Sequence, residues 1–286
     1  MNKEELIEVF NDTMEICKSP QIEKRVKHTM GHTYICNYDN NFMLNEKCFS
    51  KTNMYEKPAV IKVTNRDTLS AAKEYYNIAG KIDDSGLIGI LNFASSTNPG
   101  GGVTKGSTAQ EECLCRCSTL YPALNQKKCF DMYYNVNRKN NTNLGSDTII
   151  YSEDVLVLKD KDYNTLTKDD MFYVKVITCA APNLRKNPKN QYNDGASNTK
   201  LTLSDEELYA IHVTRARNIL NVAVNNDIEY LVLGAFGCGA FKNKPEIVAK
   251  AYKDVLKDYM YFFGVIDFAI IGNNDNYEIF KKIILS

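Results

Sequence analysis

The sequence predicts an α/β protein, a sheet covered by helices on both faces, with a helical extension ahead of it. Three observations carry that prediction. From Ala59 onward, strand-like and helix-like segments alternate, as in sheets whose crossovers are helices. Several strand segments are continuous apolar runs, above all LIGILNFA at Leu87–Ala94 and YLVLGAF at Tyr230–Phe236, which marks strands buried on both faces. Glycine-rich loops follow both runs, and ligands of such sheets bind at the carboxyl ends of strands.

Residues 2 to 17 read as an amphipathic helix with Leu6, Ile7, Phe10 and Met14 on one face. Residues 19 to 57 are polar and aromatic with few periodic cues, and short strands are expected around Thr33–Asn37. No low-complexity linker follows, so residues 1–58 read as an extension packed on a core domain of residues 59–286. AVIKVTN opens that core as a strand, and Asp67 caps a helix reaching Ala79. After the strand at Leu87–Ala94 and its glycine loop, a helix is expected from about Ala109 to Leu124, with Thr108-x-x-Glu111 as a capping box. Residues 125 to 147 are Asn-rich and read as a surface excursion. DTIIYS, DVLVLKD and FYVKVITCAA are strand-like, the last leading into a long loop over Pro182–Thr199. SDEE puts acids at the positive end of a helix from Ser204 to about Asn225. Beyond YLVLGAF, Pro245 suits the first position of a helix ending near Tyr259. VIDFAIIG is the last strand, and Asn276 to Leu285 the last helix.

Composition narrows the function classes. A chain of 286 residues fits one large domain, or one domain with an extension. Its 35 basic side chains are balanced by 35 acidic ones, which argues against gripping nucleic acid through a broad basic surface. No apolar run is long enough to span a membrane. The N-terminus lacks the basic start and apolar run of a signal peptide, and nine cysteines fit reduced thiols in the cytoplasm. Cys113, Cys115 and Cys117 alternate, but residues i and i+2 of a helix point about 200° apart. They do not clasp one ion, and Cys113 and Cys117 read as small core residues. His28 and His32 lie in a region without helical cues, and His212 is placed on a surface helix. No metal site is expected.

The chemistry concentrates between Leu91 and Leu124. Gly100, Gly101 and Gly102, after Asn98-Pro99, let backbone approach a ligand and adopt positive φ. The helix start beyond them offers unpaired N–H groups to an anion. Gln110, Glu111 and Glu112 open that helix. On a wheel whose core stripe is Cys113, Cys117, Leu120, Tyr121 and Leu124, Gln110 lies on the inner face. Glu112 falls on the border, and Glu111 nearly opposite. A border carboxylate is partly desolvated yet still reaches a ligand, as a general acid requires. Acids here also serve the helix dipole alone, and the wheel does not choose between Glu111 and Glu112. The second loop, GAFGCGAF at Gly234–Phe241, could cradle a pyrophosphate with its amides. Its glycine spacing is not the G-x-G-x-x-G of dinucleotide folds. Phe241 either packs on a ribose or joins the core. The two loops are expected to converge on one cleft.

At this point NFASSTNPGGG, AQEE and LCRCSTLYPAL together resemble the bacterial-type (microbial) poly(ADP-ribose) glycohydrolases. GAFGCGAFKNKP resembles that family's diphosphate loop, YSEDVLVLKD its mid-chain strand pair, and ITCAAPN the strand-loop before its long insertion. The likeness covers roughly residues 60 to 285. It implies a three-layer, macrodomain-like mixed sheet that binds ADP-ribose. It further implies hydrolysis of the ribose–ribose O-glycosidic bond of poly(ADP-ribose) on modified proteins, from chain ends, without metal or cofactor. In that pattern Glu112 would be the catalytic residue, protonating the leaving oxygen and then helping water attack. Glu111 and Gln110 would orient the ribose and the helix start. Asn98, Gly100, Gly101 and Gly102 would shape the ribose site. Gly237, Cys238, Gly239 and Ala240 would hold the diphosphate, Phe241 would position the terminal ribose, and the extension would close the far end of the site. One segment departs from the family pattern: VTKGSTA stands where a more apolar or Arg-containing loop is expected, so Thr104 and Lys105 lie on the leaving group's path. Two other functions fit the same fold, a hydrolase of mono-ADP-ribose conjugates and a module that reads ADP-ribose without cleaving it. The intact acid pair favours an enzyme over a reader.

Overall fold

The computed structural model describes residues 1–36, 55–79, 87–272 and 275–286. Seven strands, β1 (Thr33–Cys36), β2 (Val60–Thr64), β3 (Ile88–Phe93), β4 (Ile149–Val157), β5 (Phe172–Cys179), β6 (Tyr230–Leu233) and β7 (Val265–Ala269), form one sheet. Its order is β1-β4-β5-β3-β6-β7-β2. β5, β3, β6, β7 and β2 run parallel, whereas β4 is antiparallel to β5 and β1 to β4. The apolar run of β3 is explained by its place between β5 and β6, with both faces covered. Ile90 packs with Leu69, Ala72, Tyr75 and Leu114 on one face. Its neighbour Leu91 joins Ile219, Ala223, Tyr252 and Phe268 on the other. Burying one such aliphatic side chain contributes about 1.5–3 kcal/mol. The result is the expected macrodomain-like, three-layer mixed sheet.

Helix α1 (Lys3–Lys18) forms where the apolar stripe predicts it, closed by a reciprocal Asn2–Glu5 capping box. Helix α2 (Pro20–Gly31) was not expected; its stripe is narrow, with Val26 buried and Ile22 and Met30 packed beside it against Leu156 and Leu158. It carries His28 and places it 3.0 Å from Asp154. Asn37 and the rest of the stretch to residue 54 lie outside the described residues. Helix α3 (Thr68–Ala79) starts at Asp67, whose carboxylate accepts from the Ser70 N–H at 2.9 Å.

The single helix expected from Ala109 to Leu124 is two helices, α4 (Gln110–Cys117) and α5 (Leu120–Leu124). Ser118 breaks it by turning extended and bridging to Val157 of β4. The Asn-rich stretch after it is helical from Lys127 to Asn140, with a π turn at Phe130–Tyr134. It is no surface excursion, because Tyr133 and Tyr134 are fully buried. DTIIYS and DVLVLKD belong to one strand, bent by a bulge between Ser152 and Val155 where Asp154 takes φ 51°.

Helix α6 (Asp205–Asn225) opens with a Ser204–Glu207 capping box, α7 (Pro245–Leu256) with Pro245, and α8 (Asp275–Ile284) closes the chain. His212 lies on the buried side of α6, not on its surface, and contacts Asn243 of the second glycine loop. Among the described residues, no helix is long and apolar enough to cross a membrane, and no group of three or more acidic, His or Cys side chains could hold a metal.

Candidate active site

Parallel strands end together, and the loops leaving β2, β3, β5, β6 and β7 enclose a cleft of about 660 Å³. The two glycine loops do converge there. Gly101, Gly102 and the start of α4 form one wall, and Gly237, Gly239, Ala240 and Phe241 another. Asn98, Gly100 and Cys238 do not line the cleft but stand behind it. The Asn98 side chain donates to Asn193 Oδ1 at 3.1 Å and accepts from Arg138 at 2.9 Å. A side chain on Gly100 would collide with the ring of Tyr121, and the Cys238 N–H is committed to the Ala235 carbonyl at 3.0 Å.

Gln110 splices α4 to the sheet. Its Oε1 accepts from the Phe93 N–H at 2.8 Å, and its Nε2 donates to the Leu91 carbonyl at 2.7 Å and to Thr68 Oγ1 at 3.1 Å. Glu111 turns inward instead of capping the helix, so the Thr108–Glu111 box does not form. Its carboxylate accepts from the Ser95 N–H at 2.7 Å and the Asn92 amide at 3.4 Å. Burial, and then the neighbouring Glu112 carboxylate, push Glu111 well above the usual carboxylate range, against those donors.

Glu112 is held differently. Its Oε1 accepts from the Gly102 N–H at 2.9 Å, while Oε2, at the cleft, is buried without a hydrogen-bond partner among the described residues. Gly101 makes this possible: at φ 59° it brings backbone against both acids, and an added Cβ would overlap Glu112 Oε1. Both acids are more than nine-tenths buried, contrary to the wheel, which assumed one buried face. The physical reason is the phase of the helix: Glu111 faces β3 and the loop after it, Glu112 packs on Gly102, and α1 covers the side that carries Arg116. Arg116 of α4 donates to the Leu6 carbonyl at 3.1 Å, and Thr13 donates to the Arg116 carbonyl. For the same reason the fully buried thiols are Cys115 and Cys117, whereas Cys113 is half-buried and accepts from the Tyr163 hydroxyl at 3.4 Å.

The opposite wall is braced by a chain that spacing could not show. His212 Nε2 lies 2.9 Å from Asn243 Oδ1, and the Asn243 amide donates to the Gly237 carbonyl at 3.0 Å and the Pro182 carbonyl at 2.8 Å. That polarity makes Nε2 the protonated nitrogen of a neutral imidazole. Burial lowers His212 to about 4. Gly237, at φ 76°, has no room for a side chain beside Asn243. Arg185, from the long loop after β5, also lines the cleft, its guanidinium 5.5 Å from the Phe241 ring centroid. It donates to Asn183 and to the Pro188 carbonyl, and burial depresses it. Lys105 does not line the cleft; it reaches across to Asp194 at 3.5 Å, with both side chains largely in solvent.

A buried acid pair in a strand-end cleft of a macrodomain-like sheet defines a glycosidase of the macrodomain-like class. The model of the microbial-type PARG catalytic domain matches residues 9–160, more than half of the sequence, and the chain belongs to that family of poly(ADP-ribose) glycohydrolases. The poly(ADP-ribose) glycohydrolase of Thermomonospora curvata is similar over 98% of this chain and 99% of its own, at 27% identity and a TM-score of 0.81. Its structure bound to the inhibitor ADP-HPD has a TM-score of 0.78 at the same identity and coverage. The Deinococcus radiodurans poly(ADP-ribose) glycohydrolase in complex with ADP-ribose matches with a TM-score of 0.74 at 28% identity, over 91% of this chain and 96% of that one. No curated protein matches the sequence.

Proposed function

We propose that this glycohydrolase releases ADP-ribose from the ends of poly(ADP-ribose) on modified proteins, with Glu112 as the catalytic acid and base. One observation carries the assignment of the residue: Glu112 Oε1 is locked by the Gly102 amide, and Oε2, buried at the cleft, has no hydrogen-bond partner among the described residues. In the substrate complex Oε2 carries the proton that passes to the leaving ribose oxygen as the anomeric carbon gains oxocarbenium character. The carboxylate left behind takes a proton from the water that then attacks that carbon. Two-carboxylate glycosidases divide these tasks. Here Glu111 is bound to Ser95 and Asn92, so it orients the site while Glu112 performs both steps.

Gly237, Gly239 and Ala240 receive the diphosphate, Cys238 shapes that loop from behind, and Phe241 positions the terminal ribose under Arg185. Gly101 and Gly102 face the scissile ribose, braced by Asn98, Gly100 and Gln110. Residues 1–58 act as an extension of the core of residues 59–286, with the start of α1 against the glycine loop, where Lys3 touches Gly106. Buried thiols such as Cys115, Cys117 and Cys179, with no disulfide among them, support a cytoplasmic setting.

Incubation with poly(ADP-ribose), and separately with a mono-ADP-ribosylated protein, tests the substrate. Release of ADP-ribose from polymer alone is expected. Release from the mono-modified protein alone would move the substrate to that conjugate.

A further inference from the structure

Arg116 is a buried cation that forms no ion pair with a carboxylate among the described residues. It is fully enclosed on α4, one helical turn beyond Glu112. Nε donates to the Leu6 carbonyl of α1 at 3.1 Å, Nη2 donates to the Ser107 carbonyl, and the guanidinium lies 6.0 Å from the Tyr163 ring centroid. Nη1 is buried with no hydrogen-bond partner among the described residues. Enclosing a guanidinium this way is costly, and a core helix could be packed without it.

Its contacts form a closed circuit with the acid. Arg116 holds the Ser107 carbonyl, the Ser107 N–H donates to the Gly102 carbonyl at 3.1 Å, and the Gly102 N–H donates to Glu112 Oε1 at 2.9 Å. Glu112 and Arg116 are four apart on α4, so the helix closes the ring. The same guanidinium fixes the circuit to α1, whose Lys3 backbone abuts Gly106, a glycine at φ 72°.

We infer that Arg116 is a positioning residue for the glycosidic reaction: through Ser107 and Gly102 it sets the direction of the Glu112 carboxylate, and it joins α1 to that setting. The inference rests on the proposed role of Glu112. Arg is suited to it because its rigid fork serves two carbonyls at once, which a lysine ammonium on a flexible stem does not reproduce.

The test compares wild type with Arg116→Lys and Arg116→Gln. It reads single-turnover ADP-ribose release from poly(ADP-ribose), ADP-ribose affinity by calorimetry, and cooperative unfolding in urea. A positioning role predicts a fall in release rate of about 10- to 100-fold, with affinity within about twofold and unfolding still cooperative. Two results overturn it: rates at the wild-type level in both variants, or rate and affinity falling together in step with stability. If one variant does not fold, the other decides. If neither folds, amide exchange on wild type decides, since a Gly102 N–H that exchanges freely is not held by the circuit and a protected one is. A wild type that releases ADP-ribose from neither polymer nor a mono-ADP-ribosylated protein overturns the reading of Glu112 and this inference with it. An active wild type with unaffected variants overturns this inference alone.

Discussion

Gly101 and Glu112 share one space: a methyl group on Gly101 would overlap Glu112 Oε1 and lie 3.1 Å from Glu111 Oε2. Glycine at this position therefore governs the position of the acid as well as the turn, which takes φ 59°. Gly101→Ala is expected to lower ADP-ribose release from polymer at least 100-fold, because displacement of a reacting group by about 1 Å costs that much. Stability should fall by only about 1–2 kcal/mol, the cost of a left-handed alanine. Paired activity and urea-unfolding measurements on the variant check both numbers.

Glu111 gives the protein a pH dependence of known sign. Burial and the Glu112 charge raise its folded-state value above that of the unfolded chain, so the folded state holds the extra proton between those values. Stability is then fullest below the ordinary carboxylate range and is lost as pH rises through the raised value. Glu111→Gln should remove that loss and unfold at higher urea than wild type above the window. Urea midpoints measured across pH for both proteins test it.

His212 acts in the opposite sense. Its folded-state value is depressed to about 4 from 6.5, so the unfolded chain binds more protons between those pH values, and stability falls as pH drops through them. The loss approaches about 3 kcal/mol by pH 4. In His212→Gln that part of the slope should vanish, as denaturation midpoints between pH 4 and 7 would show.

Arg185 lies against Phe241 and lines the cleft, which places a cation beside the loop proposed to hold the diphosphate. Arg185→Ala should weaken ADP-ribose binding roughly 10- to 100-fold, the scale of one hydrogen bond to a charged group. Calorimetry with ADP-ribose measures it. Unchanged affinity would remove Arg185 from the binding wall.

What the sequence discloses and what it hides divide along physical lines. The run at Leu87–Ala94, Pro245, the acids of SDEE from Ser204 and the glycine loops are local signals, and each predicts its element. Gln110–Glu112 were visible as a cluster, but the wheel assigned Glu111 to the outer face because it assumed one buried side. Glu111 in fact faces Asn92 of β3 and Ser95 beyond it, and α1 covers the Arg116 side, so both sides of the helix are buried. Arg138, Arg185 and His212 were equally hidden, since each matters through a backbone carbonyl, a ring or an amide brought close only by folding. The Asn-rich stretch misled for a simpler reason: two buried tyrosines anchor a segment that is otherwise polar.

The most direct test of the account compares wild type, Glu112→Gln and Glu111→Gln for initial rates of ADP-ribose release from poly(ADP-ribose), with ADP-ribose affinity measured on each. Loss of a general acid costs about 10²–10⁴-fold. Glu112→Gln should therefore fall by at least that order while still binding ADP-ribose, and Glu111→Gln should retain more activity than Glu112→Gln. A Glu112→Gln protein that cleaves at the wild-type rate, or a reversed order of the two variants, would contradict the assignment of the reaction to Glu112.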